Sequence, residues 1–122
     1  MQITPDELEQ ITKPPVLAVL STVNPDGSPH ATPIWYYYDG ESFNVTCHGG
    51  RVKVRNIRRN PGVVLTVVDT VGYGTPLMVR GTAELVEEGA AEATVRMATR
   101  YEGEERGKKS AEGLLAHARK IG

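Results

Sequence analysis

The apolar positions of this chain fall into short, dense runs separated by turn residues. Val16 to Val23 is almost wholly apolar or β-branched and predicts a buried strand. Asn24-Pro25-Asp26-Gly27 follows as a strong turn signal. Residues 29–38 resume an extended, aromatic-rich run. Pro29 and Pro33 place that run at a sheet edge or a bulge, because proline cannot donate to a ladder. Asp39-Gly40 predicts a hairpin turn of the kind that favours positive φ. Ser42 to His48 then alternates: Phe43, Val45 and Cys47 face one way, Ser42, Asn44, Thr46 and His48 the other. Gly62 to Thr70 is another hydrophobic β run. Leu77 to Val86 reads as a long strand in which Gly81 predicts a bulge.

Helical signals surround these strands. Thr4 and Glu7 have capping-box spacing, with Ile3, Leu8 and Ile11 as the apolar side and Pro14-Pro15 as the stop. A short helix is predicted over residues 52–59, halted by Asn60-Pro61. Beyond Glu88, Ala91, Val95, Ala98 and Tyr101 sit near helical spacing. A charged linker, Glu102 to Lys109, precedes a second helical segment from Ala111 to Lys120 with Leu114, Leu115 and Ala118 apolar. Hairpin-linked strands come first and most helix comes last. That order predicts an α+β fold, mainly β, with a mostly antiparallel sheet and peripheral helices. Five or so strands with bulge signals favour a closed or partly closed barrel over a flat sheet.

Composition narrows the function classes. The 122 residues suit a single domain, taken as residues 1–122. The net charge of −1 argues against a general nucleic-acid or membrane binder. No apolar run approaches the length of a membrane span, and no secretion signal is visible at the start. Cys47 is the single cysteine, so no disulfide can close within one chain, in keeping with a reducing, cytoplasmic setting. His30, His48 and His117 show no ligand spacing, so no metal site is expected. Cys47 and His48 are neighbours, but adjacent strand residues point to opposite faces, so they make no nucleophile pair. With no nucleophile elbow, P-loop or dinucleotide fingerprint, no catalytic residue can be named.

The most informative stretch is Gly49 to Pro61, where Arg51, Lys53, Arg55, Arg58 and Arg59 put five cations into nine residues. A helix starts among them, and its unpaired N–H groups and positive dipole end favour an anion. Gly49-Gly50 lets the backbone approach a ligand. Arg51 can fork onto phosphate oxygens and Lys53 can add a point charge, which together make a phosphate clamp. Arg58 and Arg59 lie about two turns further on, too far to touch the same phosphate. The competing account is a solvated basic face balanced by the acidic stretch from Glu84 to Glu105. A third is a nucleic-acid patch, which would want a wider basic surface interleaved with aromatics. The aromatics cluster separately, at Trp35 to Tyr38, where alternation would put one side in the core and leave the other to line a ring-binding surface.

The ordered set of segments resembles the pyridoxamine 5′-phosphate oxidase-like superfamily of split β-barrels, in particular its flavin/deazaflavin oxidoreductase branch. It runs through Val16 to Thr22, Asp26-Gly27-Ser28-Pro29-His30 and Thr32-Pro33-Ile34-Trp35-Tyr36. It continues through Phe43-Asn44-Val45-Thr46, Arg51 to Pro61, the strand 62–69 and Arg80-Gly81-Thr82-Ala83-Glu84. The resemblance covers roughly residues 12–102. It implies a split β-barrel, FMN or the deazaflavin coenzyme F-420 as cofactor, hydride transfer to or from a small organic substrate, and a homodimer with sites at the subunit interface. By the same resemblance, Arg51 and Lys53 would hold the cofactor phosphate and Asn56 would order that corner. Thr32, Pro33 and Ile34 would border the ring, with Thr46 and Cys47 on the neighbouring strand, and Tyr73 or Gly74 would contribute across the interface.

Two departures qualify the resemblance. The C-terminal arginine-containing substrate segment of pyridoxamine phosphate oxidases is not found, so vitamin B6 oxidation is not expected. The strand that usually follows the helix is also missing, so the chain is either truncated or closes its barrel differently. A non-catalytic binder of haem, a bilin or a stored cofactor, and an oligonucleotide-binding barrel, remain alternatives on the same architecture. Hydride chemistry suits the lack of acid–base residues, because the cofactor carries that reaction.

Overall fold

A computed structural model describes residues 3–47, 50–68 and 76–105. The chain divides into two compact units, Met1–Leu85 and Val86–Gly122. In the first, helix α1 (Pro5–Thr12) is capped by Thr4, whose hydroxyl oxygen accepts from the Glu7 N–H at 3.2 Å and whose proton goes to the Glu7 carboxylate at 3.0 Å. Strands β1 (Ala18–Val23), β2 (Pro29–Ile34), β5 (Gly62–Val68) and β6 (Pro76–Thr82) form one sheet in the order β2-β1-β5-β6. Strands β3 (Tyr37–Tyr38) and β4 (Phe43–Asn44) form a separate hairpin. Helix α2 (Val52–Arg59) lies between the hairpin and β5 in sequence. Every strand pair is antiparallel. The predicted α+β, mainly β split-barrel class holds, as an open sheet with a separate hairpin.

Register sorts the side chains into two faces, since alternate residues point opposite ways. Ile34, Ala18, Val67 and Leu77 line up across the four strands, and Thr32, Leu20, Leu65 and Val79 form the next row. These rows make the inner face. Ala18, Leu20, Ile34, Leu65 and Val67 are buried there together with Tyr36, and Phe43 and Val45 of the hairpin segment pack against them. Further along the same face Thr22, 2% exposed, meets α2. The hairpin and α2 therefore cover different ends of one apolar surface. On the outer face, Val19, Ser21, Val64 and Thr66 are half-buried, while Ala31, Pro33, Val68 and Met78 are exposed.

Several boundaries depart from the sequence pattern for identifiable reasons. β2 is an edge strand, as its prolines required, but the extended run does not continue unbroken to Tyr38. It breaks at Trp35-Tyr36, where the chain passes from one sheet to the other. Tyr36 and Tyr37 are consecutively buried, so the expected alternation of the aromatics fails there. With only Tyr37 and Tyr38 available as partners, β4 shrinks to Phe43–Asn44 instead of running from Ser42 towards His48. Gly81 makes no bulge, because the β5–β6 register runs unbroken from Gly62↔Thr82 to Val68↔Pro76. β6 ends at Thr82, short of Val86.

In the second unit, helix α3 (Ala90–Glu102) buries Met97 and Ala98 and leaves Ala91 and Val95 exposed. The predicted stripe is thus rotated towards residues 93, 94, 97, 98 and 101. The helix predicted at 111–120 and residues 106–109 of the preceding charged linker lie outside the described residues.

The β3–β4 turn is held by Asp39. Its carboxylate accepts from the N–H groups of Glu41 (2.9 Å) and Ser42 (2.8 Å), from the Asn44 amide (3.1 Å) and from the Ser42 hydroxyl (3.3 Å). Gly40 supplies the positive φ, +96°, that the turn needs. The Ser42 and Glu41 backbone bonds lead in pulling the Asp39 pKa from 3.8 down to about 2. The resulting stabilisation is complete above the ordinary carboxylate value and fades as the pH falls through about 2. Asp39→Asn should lower Tm at pH 7 by roughly 2–5 °C, a modest effect for an exposed group. Thermal unfolding followed from pH 7 to pH 2 should show the gap to wild type closing at the acid end. A gap that stays constant would remove this account.

Candidate functional site

Helix α2 begins in an unusual way. Its N-cap is Arg51, an extended residue (φ −72°, ψ 151°) whose side chain carries no acceptor, and no side chain caps the helix. The first turn contains no acid. Arg51 O accepts from the N–H groups of Val54 (3.1 Å) and Arg55 (3.2 Å). Among the described residues nothing accepts from the N–H groups of Val52 and Lys53. Most helices place Ser, Thr, Asp or Asn at this position to supply an acceptor. Here the sequence supplies a guanidinium at the N-cap and an ammonium one residue after the first helical position. The positive end of the helix is reinforced, which suits an external anion. Gly50 precedes Arg51, and a Cβ built on Gly50 meets nothing within 4 Å, so nothing in the described chain fills the space beside it. Gly49 and His48 lie outside the described residues.

The other sequence-predicted residues divide into groups. Arg51 is exposed and Lys53 half-buried at the start of α2. Cys47 is an exposed residue in the segment after β4, and Thr46 beside it is half-buried. Partial desolvation pushes the Cys47 thiol up, and the charge of Lys53 offsets part of that rise. Thr32 and Ile34 share the inner face of β2, but Pro33 points to the outer face. Ile34 is a core residue, 7% exposed. Thr32 Oγ1 is buried with no hydrogen-bond partner in the described chain, and so is His30 Nδ1 at the next inner position. A buried polar atom left unsatisfied costs about 1–3 kcal/mol, so a ligand presenting carbonyl and N–H edges would find complementary groups along β2.

Asn56 is 2% exposed, and its amide is fully engaged within the protein. Its Nδ2 donates to Thr22 Oγ1 and to Asn24 Oδ1, both at 3.0 Å, and its Oδ1 accepts from Arg59 at 2.9 Å. Its part in the corner is thus to fix α2 against β1 and the following turn. Sequence reasoning missed Thr22, Asn24 and Arg59. A signal existed for Thr22: it is the polar residue in the inward series Ala18, Leu20, Thr22. Tyr73 and Gly74 lie outside the described residues. Among the described residues no cluster of three or more His, Cys, Asp or Glu could hold a metal, and no helix is long and apolar enough to cross a membrane.

The sequence profile of pyridoxamine 5′-phosphate oxidase matches residues 4–121. The chain belongs to the pyridoxamine 5′-phosphate oxidase family. Solved structures agree. An F420 reductase is 34% identical, with a TM-score of 0.71 over 78% of this chain and 76% of its own. A conserved hypothetical protein of Mycobacterium tuberculosis is 29% identical, with a TM-score of 0.74 over 93% of this chain and 75% of its own. The haem storage protein of Vibrio cholerae shares the fold at 21% identity, with a TM-score of 0.61 over 93% of this chain and 82% of its own. No curated protein matches the sequence. The family fold thus serves an F420 reductase and a haem store, and the residues of the site must decide between such uses.

Cys47 offers a reporter for this corner. Removing the cation in Lys53→Ala should raise the thiol pKa further and slow iodoacetamide labelling at pH 8 by about 2- to 3-fold. Adding an anion that neutralises Lys53 should slow labelling of the wild type in the same direction. Labelling that is indifferent to both would separate Cys47 from the α2 N-terminus.

Proposed function

We propose that this protein is a flavin- or deazaflavin-dependent oxidoreductase that binds FMN or coenzyme F-420 and passes hydride to or from a small organic substrate. The observation that carries the reading is the start of α2, where Arg51 replaces the usual capping acceptor, Lys53 follows, and Gly50 leaves space beside them. In this reading Arg51 forks onto the cofactor phosphate, Lys53 adds charge, and the N–H groups of Val52 and Lys53, which meet no acceptor among the described residues, complete the cradle. Thr32, with Pro33 and Ile34 on the same edge strand, borders the ring, and Thr46 and Cys47 approach from the segment that leads into α2. When bound, the cofactor supplies the hydride chemistry. The protein supplies anchoring at the phosphate and orientation at the ring. Orientation alone is worth a large factor once the reacting partners are held together. Membership of the family and the likeness to an F420 reductase support the reading.

The active unit in this proposal is a homodimer within the cytoplasm. The outer face supports pairing with a second copy: Ala31, Pro33, Val68 and Met78 are exposed on one side of the sheet, with Val68 47% and Met78 58% accessible.

Fluorescence titration with FMN and with coenzyme F-420 tests the clamp. At least one should bind, and Arg51→Ala and Lys53→Ala should each weaken binding roughly 10-fold, with a clear dependence on salt. If neither cofactor binds, or if the double variant binds as wild type does, the reading is wrong. A cofactor that binds but that no acceptor oxidises would move the protein to the non-catalytic carriers of this fold. Met78→Glu should shift the sedimenting species from dimer to monomer, and a monomeric wild type would remove the dimer from the proposal.

A further inference from the structure

Asn56 belongs to a longer chain of hydrogen bonds. Arg59 Nη2 donates to Asn56 Oδ1 (2.9 Å), and Asn56 Nδ2 donates to Asn24 Oδ1 (3.0 Å). Asn24 Nδ2 donates in turn to Ser28 Oγ (3.2 Å), and Ser28 Oγ donates to Asp26 Oδ1 (2.5 Å). All four bonds run donor to acceptor in one direction, from a guanidinium to a carboxylate. A guanidinium can only donate and an ionised carboxylate can only accept, so the two ends fix the orientation of both amides between them. Such a head-to-tail arrangement lets each bond polarise the next. Two side branches pin it to the sheet: Asn56 Nδ2 also donates to Thr22 Oγ1, and Arg59 Nη2 also donates to the Val23 carbonyl at 2.8 Å. Ser28 further lowers the Asp26 pKa through its hydroxyl and its N–H, which keeps the acceptor end ionised.

This chain ties the C-terminal half of α2 to the β1–β2 turn. The apolar residues that dock the helix, Val54 and Ile57, are both buried and carry no directional preference. They permit the helix to roll or slide, whereas the amide bonds of Asn56 permit one placement. The anion site lies one turn away, at Arg51 to Lys53 on the same rigid helix. We propose that Arg59, Asn56, Thr22, Asn24, Ser28 and Asp26 form a positioning unit that sets the pose of the α2 N-terminus and thereby the affinity of the phosphate site. The proposal rests on the phosphate-binding reading of that site. It gives Arg59 a role through Asn56, with no contact to the ligand, and extends the device to an acidic residue on the far side of the turn.

The charges at the two ends make the proposal separable from simple electrostatics. Removing Asp26 takes away a negative charge, which by Coulomb attraction alone would tighten anion binding. Loss of the positioning unit would loosen it. Dissociation constants for FMN, coenzyme F-420 and inorganic phosphate should be measured at 20 °C for wild type, Asp26→Ala, Thr22→Val, Arg59→Gln and Arg58→Gln, with Tm recorded for each. Asp26 is exposed, so its variant should fold even if the buried Thr22→Val does not. The expected result is about 3- to 30-fold weaker binding in Asp26→Ala, Thr22→Val and Arg59→Gln. Arg58→Gln, an equal change in charge on the same helix, should stay within about 2-fold of wild type in the same titrations. Binding by Asp26→Ala that equals or exceeds wild type overturns the positioning unit, as does an equal loss in Arg58→Gln and Arg59→Gln. Wild type that binds none of the three probes removes the phosphate site itself, and this inference with it.

Discussion

An eight-residue helix has almost no stability of its own in water, so α2 exists because the sheet holds it. That docking is the constraint on which the functional corner depends. Its first residues are poor helix starters: an arginine at the N-cap, no acid in the first turn, and a cluster of like charges that repel one another. Val54 and Ile57 provide apolar burial against the sheet side, and Asn56 provides direction. The cationic start of the helix is therefore sustained by what lies beneath it. Apolar burial lies on the buried side of α2, and the cationic groups of Arg51 and Lys53 lie at its start.

The same division runs through the sheet. One face is apolar and covered, at one end by the β3–β4 segment with Tyr36 and Phe43, and at the other by α2. The rings of Tyr36 and Phe43 lie 6.1 Å apart, and those of Tyr38 and Phe43 4.7 Å, so the hairpin is joined through aromatics more than through its two ladder pairs. The other face keeps small and β-branched residues near water. A surface of that kind is inexpensive to desolvate and offers few polar groups that a neighbour would have to satisfy.

Much of this was legible in the chain itself. The dense run at Val16 to Val23, the Asn-Pro-Asp-Gly turn and the Asn60-Pro61 stop each reflect local chemistry, and each appears where the residues demand it. α2 matches its predicted span because both of its ends are written in short-range signals. What could not be read depended on partners distant in sequence. β4 is short because the opposite strand turns away at Trp35-Tyr36, and Gly81 is unbulged because Gly62 to Val68 keeps a perfect register with it. The stripe on α3 is rotated because burial, not spacing alone, selects the face. In the candidate site, Arg51 and Lys53 were legible as a pattern of charge. The saturation of the Asn56 amide was not, since its partners lie 32 and 34 residues away.

The prolines of β2 have an effect beyond the sheet to which they belong. Among the described residues β2 is one of the two edges of the four-stranded sheet, and an unpaired edge is a template on which another chain can add a strand. Pro29 and Pro33 each delete a donor from that edge, and they sit four residues apart in a strand of six. An incoming strand would find the ladder interrupted twice over a short span. The two prolines therefore close this edge to strand addition. A sheet edge blunted in this way is a poor nucleus for aggregation.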